Sequence, residues 1–409
     1  MAVSRFLADV AVVGAGPAGS RTARQLARYG LRVLLIEEHR EVGIPSHCSG
    51  LISPRTWEMG EMADEGLVCN RLRGAVLHLE DGTSLALGSQ EVRALAIDRV
   101  AWDRALARQA YEAGAEPVRA RFLAAEPIRG GLRLHLQRDG HLVRADVRLL
   151  VGADGVHSRV ATSLGLPRPR EKVLALGVEA RISLPREDYV YVFVGPRLAP
   201  GWFAWAIPSG PGMARLGIGC LMGQGTPIEL YRAFKEGPLA PFGPVREVRF
   251  YGGAIPLTPA PRTYGHHVLL VGDAAGQVKP FSGGGIYPSL VAASLCTEAA
   301  WRAFQRDDLS APSLAWYERE WRRRLGRELA RSWHLRRAGL CLDTPRLAAL
   351  VRTLARPGLQ ALATQRADID YPSKALLALA RHALPSLLGA ALGQPAVLWH
   401  LVAALLARG

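Results

Sequence analysis

The pattern of apolar and polar residues at the start of the chain predicts a strand, a turn, a helix and a second strand. A short apolar run ends at Val13, glycines follow at Gly14, Gly16 and Gly19, and apolar residues then recur at helical spacing until Gly30. A second apolar run, LRVLLIEE, ends in two acidic residues. This order is typical of a βαβ unit.

Two later segments repeat part of this pattern. The run RADVRLLVGADG ends at Gly155, after a helical pattern that begins near Asp98. The run HHVLLVGDAAG carries Asp273 and leads into the glycine-rich stretch SGGGIY. Because each strand ends in a turn of glycine and aspartate, the pattern predicts one Rossmann-like nucleotide-binding domain assembled from separated segments.

The remaining segments predict two further parts. Apolar and polar positions alternate between the later two motifs, as in YVYVFVGP and WFAWAIP, which predicts a strand-rich insert. Beyond Ser310 the pattern is helical. The sequence therefore predicts an α/β fold with a nucleotide-binding domain of residues 1–75, 95–172 and 262–305, a β-rich substrate domain of residues 76–94 and 173–261, and a helical C-terminal region of residues 306–409.

The first glycine motif has the spacing of a dinucleotide-binding turn. Glu37 ends the second strand, 18 positions after Gly19, and Glu38 follows it. Glycines allow the backbone to approach a pyrophosphate at the positive end of the helix, and a carboxylate accepts hydrogen bonds from an adenosine ribose. A glycine-rich turn without a ligand is the alternative, but the strand, turn and helix context favours a nucleotide.

The charge is strongly basic and comes from arginine. The net charge is +15, and lysine occurs only at Lys172, Lys235, Lys279 and Lys374. A basic excess suits nucleic acid, an anionic membrane or an acidic substrate, although arginine-rich composition alone also explains it. We expect no nucleic-acid partner, because no such motif accompanies the charge, which concentrates only on the helical pattern that ends at Arg337.

The cysteines and the termini suggest a cytoplasmic protein. The five cysteines form neither a CxxC pair nor a metal-ligand spacing, so we expect reduced thiols and no metal site. Residues 1–8 are too short for a signal peptide. The uncharged tail from Leu384 to Leu406 is interrupted at Gly389, Gly393 and Pro395, so it either lies on the inner face of the cell membrane or caps the substrate cavity.

With these motifs in order, residues 8–300 resemble FAD-dependent oxidoreductases of the para-hydroxybenzoate hydroxylase fold, and among them the geranylgeranyl reductase family. The resemblance places Arg99 near the FAD phosphates and ribose, Asp273 at the ribitol, and Pro280 with the SGGGIY helix start near the flavin ring. That helix start would stabilise negative charge on a reduced flavin. The implied FAD site comprises Gly14, Gly16, Ala18, Gly19, Glu37, Glu38, Cys48, Ser49, Gly50, Arg99, Asp154, Gly155, Gly272, Asp273, Pro280, Gly283, Gly284, Gly285 and Ile286.

Two shorter motifs indicate the subfamily. The stretch FAWAIPS resembles the reductase motif YxWxFPK at Trp205 and Pro208, and it also resembles the WxWxIP motif of flavin-dependent halogenases. Halogenases need a lysine beside the flavin, and the chain has none between Glu37 and Arg99. The stretch GIPSHCSGLIS resembles the cysteine and glycine cluster of the reductases.

The resemblance implies catalytic candidates around the flavin ring. Cys48 could donate a proton, position the substrate or pack as an inert small side chain, and His47 is a rival proton donor. Trp205 and Tyr191 are candidates for lining an apolar slot, although alternation along strands places half of such aromatic residues in the sheet core.

The predicted activity is hydrogenation of C=C bonds in a prenyl chain on a lipid, quinone or pigment precursor. The electron donor is NAD(P)H or reduced ferredoxin, and GIGCLMG is interpreted as a bend rather than a second dinucleotide turn. One alternative is a monooxygenase or halogenase that acts on an aromatic substrate. Another is an electron-transfer protein for quinone, which the absence of cysteine-rich spacing disfavours. The sequence leaves the oligomeric state open.

Overall fold

The computed structural model describes residues 5–382 and 394–407, so the first part of the apolar tail, residues 384–393, lies outside the described residues. The strands in chain order are β1 (Arg5–Val13), β2 (Val33–Glu37), β3 (Leu51–Ile52), β4 (Val68–Leu72), β5 (Gly74–Leu79), β6 (Ser84–Gly88), β7 (Ala94–Ile97), β8 (Glu116–Arg119), β9 (Arg121–Ile128), β10 (Gly131–Arg138), β11 (His141–Gly152), β12 (Lys172–Arg181), β13 (Tyr189–Val194), β14 (Ala204–Gly210), β15 (Met213–Leu221), β16 (Arg246–Pro256), β17 (Tyr264–Gly265) and β18 (Val268–Leu270). The α-helices are α1 (Pro17–Arg28), α2 (Pro54–Gly60), α3 (Arg99–Glu112), α4 (Arg159–Ser163), α5 (Pro227–Glu236), α6 (Ile286–Gln305), α7 (Ala311–Trp321), α8 (Arg327–Leu340), α9 (Thr344–Leu354), α10 (Pro357–Arg366), α11 (Pro372–His382) and α12 (Pro395–Leu406).

The first sheet is built around parallel strands from distant parts of the chain. Its order is β17-β18-β11-β1-β2-β8, with β9 and β10 added to β11. β1 pairs in parallel with both β2 and β11, and its residues from Val10 to Val13 are buried. Central strands of a parallel sheet are covered on both faces, which accounts for the continuous apolar run before Gly14. Val13 lies beside Gly152, and Gly152 beside Leu270, so the three glycine-containing turns meet at one edge of the sheet.

The second sheet contains the strand-rich insert. Its order is β16-β12-β15-β14-β13-β5-β6, so β5 and β6 join it from an earlier part of the chain. Most of the stretch interpreted as a bend, from Gly217 to Leu221, is part of β15, and the chain turns only at Met222 and Gly223. The glycines occur there because the rings of Trp205 and Trp202 lie against the backbone at Gly217 and Gly219, where a side chain would not fit.

The two faces of the second sheet pack against different partners. One face packs on α5, with Tyr231 and Phe234 in its core. The other faces the small sheet of β3, β4 and β7, which follows the cysteine loop along the chain. The α/β fold with a strand-rich part and a helical C-terminal region is confirmed, while the domain boundaries stay predictions.

The helical C-terminal region packs back onto both sheets. A π-helical turn, Arg322–Gly326, joins α7 to α8, and α12 packs against α8. Several of its arginines make internal contacts: Arg322 binds Glu318, and the buried Arg336 binds Glu171. Across the described part of the chain, no helix combines the length and apolar character needed to cross a membrane.

Candidate functional site

The first glycine turn is shaped by close backbone contacts. Gly14 has a φ of +100°, and a Cβ on it would lie 2.4 Å from the carbonyl oxygen of Ala153. A Cβ on Gly19 would lie 1.9 Å from the oxygen of Gly14. By contrast, a Cβ on Gly16 would meet no atom within 4 Å. Gly14 and Gly19 therefore bring strand and helix together, whereas Gly16 borders open space at the N-terminus of α1.

Glu37 closes this turn from the end of β2. Its carboxylate accepts hydrogen bonds from the backbone N–H of Ala15, at 2.9 Å, and from that of His39, at 3.0 Å. Glu38 is exposed and lies 3.4 Å from Arg121, so the structure does not bring it to the turn. Of the two acidic residues, only Glu37 is placed to reach a ribose at this edge.

Arg99 lies in a half-buried cluster with Cys48. Its guanidinium donates two hydrogen bonds to Asp103, at 2.8 and 3.0 Å. Burial lowers the pKa of Arg99, but Asp103 and Cys48 outweigh it and raise the pKa above its ordinary value. Burial also raises the pKa of Asp103, against the effect of Arg99. Sequence reasoning missed Asp103, although it follows Arg99 by four positions on a predicted helix.

Asp154 organises the second turn from within. Its carboxylate accepts hydrogen bonds from Ser158 Oγ at 2.6 Å and from the backbone N–H groups of Arg159 and Val160 at 2.7 and 3.0 Å. Burial raises its pKa even though these bonds lower it. The aspartate thus holds the start of α4 and the shape of the turn at Gly155, where φ is +74°.

The third turn places a carboxylate at the N-terminus of α6. Burial raises the pKa of Asp273 from 3.8 to about 6, while the charge of Arg99 opposes that rise. A Cβ on Gly285, the residue before α6, would lie 3.1 Å from Asp273 Oδ1. A Cβ on Gly272 would lie 3.0 Å from Ala18, which shows how closely the first and third turns approach.

The rest of the glycine-rich segment connects this turn to the second sheet. Pro280 is buried, and Ile286, the first residue of α6, packs beside the core of α3. A Cβ on Gly283 would lie 3.1 Å from the ring of Trp202, and one on Gly284 would lie 2.8 Å from Lys279 Cε. The segment therefore runs between an aromatic surface and a buried lysine.

The cysteine loop is held by contacts to two strands of the second sheet. The backbone N–H of Gly50 donates to Cys48 Sγ at 3.3 Å, and His47 Nδ1 lies 2.7 Å from the carbonyl oxygen of Gly252 on β16. Arg215, buried on β15, donates to the carbonyl of Ser49 at 2.8 Å and to that of Ile97 at 2.7 Å. A Cβ on Gly50 would lie 2.6 Å from that guanidinium, so the arginine requires glycine there.

An aromatic row lies on the same face of the second sheet as Arg215. Tyr251, Gly177, Gly217 and Trp205 are in register across β16, β12, β15 and β14. Both rings lie on glycine backbone, since a Cβ on Gly177 would be 2.2 Å from Tyr251 and one on Gly217 would be 2.1 Å from Trp205. The Tyr251 hydroxyl and the Trp205 indole N–H have no hydrogen-bond partner among the described residues. Burial, together with Cys48, raises the pKa of Tyr251.

Several known proteins are similar to this chain. Residues 7–195 match the model of the FAD binding domain. The digeranylgeranylglycerophospholipid reductase of Methanothrix thermoacetophila is 30% identical over 85% of this chain and 91% of its own length. The chain belongs to the geranylgeranyl reductase family. A geranylgeranyl bacteriochlorophyll reductase-like protein from Thermoplasma acidophilum has the same fold, with a TM-score of 0.82, 24% identity, and coverage of 94% of this chain and 100% of that one.

A more distant structural neighbour shares only the fold. A flavin-dependent brominase superposes with a TM-score of 0.72 at 15% identity, over 93% of this chain and 98% of its own. The lysine nearest the glycine-rich turn here is Lys279, which is 4% exposed and bound to Asp370. No lysine follows the first βαβ unit until well beyond Arg99.

The residues fit the FAD that the geranylgeranyl reductase family binds. Open space borders Gly16 at the N-terminus of α1, where a pyrophosphate is stabilised. Glu37 lies at the end of β2, as an adenosine ribose requires. The half-buried carboxylate of Asp273 could accept hydrogen bonds from ribityl hydroxyls, and the N-terminus of α6 lies at the same edge of the sheet. Arg99 is engaged in an ion pair with Asp103.

Tyr191 does not lie with the other candidates, which corrects the prediction that it lines the site. It pairs with Ala206 on β14, one position from Trp205, and so faces the opposite side of the sheet. Its hydroxyl accepts a hydrogen bond from the backbone N–H of Arg186 at 2.7 Å, and its ring packs against Phe242. Alternation along a strand explains the error, because the sequence did not reveal which face meets the flavin.

Proposed function

We propose that this protein is an FAD-dependent reductase that hydrogenates C=C bonds in the geranylgeranyl chains of a membrane lipid. The observation that carries the proposal is the meeting of the cysteine loop, the glycine-rich turn and an aromatic row on one face of the second sheet. The relatives named for reduction of digeranylgeranylglycerophospholipids support a lipid over a quinone or a pigment precursor as the carrier of the chain.

The residues suit reduction of an isolated alkene. FAD, when bound, supplies a hydride to one carbon of the double bond. Tyr251 and Trp205 offer flat rings to an apolar chain, and aromatic faces stabilise the positive charge that develops on the carbon that accepts the hydride while the other carbon is protonated. By covering the alkene, these rings also exclude water from the reacting atoms.

Cys48 is the group that we assign as proton donor. It lies beside Arg99, whose positive charge stabilises the negative charge left on sulfur after proton transfer. The rival donor, His47, is exposed, and its Nδ1 lies 2.7 Å from the carbonyl oxygen of Gly252. The hydroxyl of Tyr251 orients the thiol or the chain within this space.

The electron donor is NAD(P)H or reduced ferredoxin. The described residues show no second dinucleotide turn of the kind formed at Gly14, since the later glycine pair lies within β15. Reduction of the bound flavin therefore takes place by a transient encounter with the donor.

The last helix provides a membrane-facing surface. Val397 and Ala404 are buried against the rest of the protein, whereas one side of α12 is exposed. Its exposed apolar residues are Leu398, Trp399, Val402, Leu405 and Leu406. This stripe carries no acidic residue and belongs to a protein of net charge +15, so it suits a peripheral position on an anionic membrane at the inner face of the cell membrane.

The proposal is tested by mixing chemically reduced holoprotein with lipid in the absence of oxygen. A lipid with geranylgeranyl chains should return the flavin to its oxidised yellow form, whereas the same lipid with saturated chains should leave it reduced. If neither lipid oxidises the flavin, but oxygen with an aromatic substrate gives an oxygenated or halogenated product, the monooxygenase or halogenase alternative holds. Oxidation by a quinone without any change to its side chain would instead support the electron-transfer alternative.

A further inference from the structure

A short segment of the C-terminal region, Asp368–Tyr371, lies across two loops of the flavin site. We call it the strap. The carboxylate of Asp370, which is 2% exposed, accepts a hydrogen bond from Ser53 Oγ at 2.5 Å and lies 3.3 Å from Lys279 Nζ. Ser53 follows the cysteine loop and begins α2, while Lys279 begins the glycine-rich turn. One carboxylate therefore joins two loops that are more than 200 positions apart in the sequence.

Further contacts hold the strap in this place. Lys279 Nζ also donates to the carbonyl oxygen of Ile369 at 2.6 Å. Arg55 lies 3.2 Å from Asp370 and 3.4 Å from Asp368, on the solvent side. The hydroxyls of Tyr371 and Tyr287 are 2.9 Å apart, which attaches the strap to the first turn of α6.

Lys279 brings a positive charge close to the turn that faces the flavin ring. Its backbone N–H and C=O bond to the backbone of Gly284 and Gly283, at 3.3 and 2.8 Å. A Cβ on Gly284 would lie 3.1 Å from Lys279 Nζ. A cation at this position adds to the positive end of α6 and favours the negatively charged, reduced cofactor.

The carboxylate of Asp370 opposes this effect. A buried cation raises the reduction potential of a nearby flavin, and a partner of opposite charge cancels most of its field. A lower potential makes the reduced cofactor a stronger hydride donor, which suits an alkene without a neighbouring carbonyl. The Lys279–Asp370 pair therefore holds the glycine-rich turn in place while leaving only a weak net electric field at the flavin ring.

We propose that Asp370 is a positioning residue that acts through Lys279, anchoring the strap on both loops and keeping the reduction potential of the flavin low. This inference rests on FAD binding and on the proposed hydride chemistry, but not on the identity of the lipid. The potential is measured without lipid, so failure of this inference and failure of the proposed function are separate outcomes.

The test compares the reduction potentials of bound FAD in Asp370→Asn, in Lys279→Met and in the double variant, by anaerobic equilibration with a reference dye. Asp370→Asn should raise the potential and Lys279→Met should lower it, each by at least a tenfold change in the ratio of reduced to oxidised flavin, about 30 mV for a two-electron couple. The double variant should return to within about threefold of the wild-type ratio. Arg133→Gln, which breaks a pair with Asp146 on β10 and β11, is the matched control and should leave the potential unchanged.

Shifts of the reduction potential in opposite directions distinguish a charge effect from damage to the fold, because damage should shift the potential of both single variants in the same direction. A shift of the same sign in both, or no shift in either, would overturn the proposal. If Asp370→Asn does not fold, Arg55→Gln carries the test from the exposed side. Loss of the Arg55 guanidinium removes a positive charge from beside Asp370, so the negative charge of the carboxylate is less neutralised and the reduction potential should fall. An unchanged or higher potential overturns the proposal.

Discussion

Replacing Asp273 with asparagine should stabilise the protein without its cofactor and weaken FAD binding. The carboxylate is partly accessible but has a pKa raised by burial from 3.8 to about 6. Because one pKa unit corresponds to 1.36 kcal/mol, this rise sets an upper limit of about 3 kcal/mol on the destabilisation that the charged group causes. Partial exposure reduces the expected value to about 1–2 kcal/mol.

The pH dependence follows from the direction of the shift. Above about pH 6 the carboxylate is ionised in the folded and the unfolded state, so the full cost of its burial is present. As the pH falls through 6 toward 3.8, the folded state takes up the proton first, and the cost disappears. The asparagine of the variant carries no charge at any pH, so its advantage should be greatest near neutral pH and vanish in acid.

The assay is urea unfolding of cofactor-free wild-type and Asp273→Asn protein at pH 7.5 and pH 4.5, with FAD affinity measured in parallel at pH 7.5. The variant should unfold at higher urea at pH 7.5, and this advantage should fall to about a third at pH 4.5. It should also bind FAD roughly ten- to hundredfold more weakly, because a hydrogen bond to a charged acceptor is worth about 1.5–3 kcal/mol. Equal stability at both pH values, with unchanged FAD affinity, would refute the reasoning about this turn.

Substitutions in the first glycine turn, in the cysteine loop and on α12 test the roles of these three parts separately. Gly14→Ala should give protein with little bound flavin by absorbance, because its Cβ would overlap the Ala153 carbonyl, whereas Gly30→Ala, with open space around its Cβ, should remain yellow. Cys48→Ala should still bind FAD, and dithionite should still reduce it. The rate of alkene reduction in single-turnover measurements should fall at least tenfold, and an unchanged rate would exclude the thiol as proton donor. Trp399→Glu should reduce co-sedimentation with anionic vesicles severalfold, with Leu142→Glu, an exposed residue on β11, as the control that should not.

The cofactor half of the site was predictable because each of its motifs is local. Gly19 is required by its contact with Gly14 within one βαβ unit, and Glu37 is placed by the length of the helix between two strands, although Gly14 also meets Ala153 from a distant segment. Asp273 follows a buried strand whose apolar run is visible in the sequence. Local periodicity therefore indicated both the fold class and the edge of the sheet where these turns meet.

The substrate half was less predictable because its contacts join distant segments. Arg215 reaches Ser49 across 166 positions, and Asp370 reaches Ser53 across 317, so neither contact leaves a local signal. Tyr191 was assigned to the wrong face because the face of each strand depends on tertiary contacts rather than on alternation alone. Tyr251 was missed because its ring lies over a glycine on the neighbouring strand, a pairing that only the register reveals.

Reduction of C=C bonds in prenyl chains changes the mass of the lipid product. Purified holoprotein, kept reduced by dithionite without oxygen, is incubated with digeranylgeranylglycerophospholipid, and the extracted lipid is analysed by mass spectrometry. We expect lipid masses that increase by two hydrogens for each double bond reduced, with no change when the protein is boiled or when FAD is removed. A lipid of unchanged mass beside fully reduced, correctly folded holoprotein would contradict the proposed function.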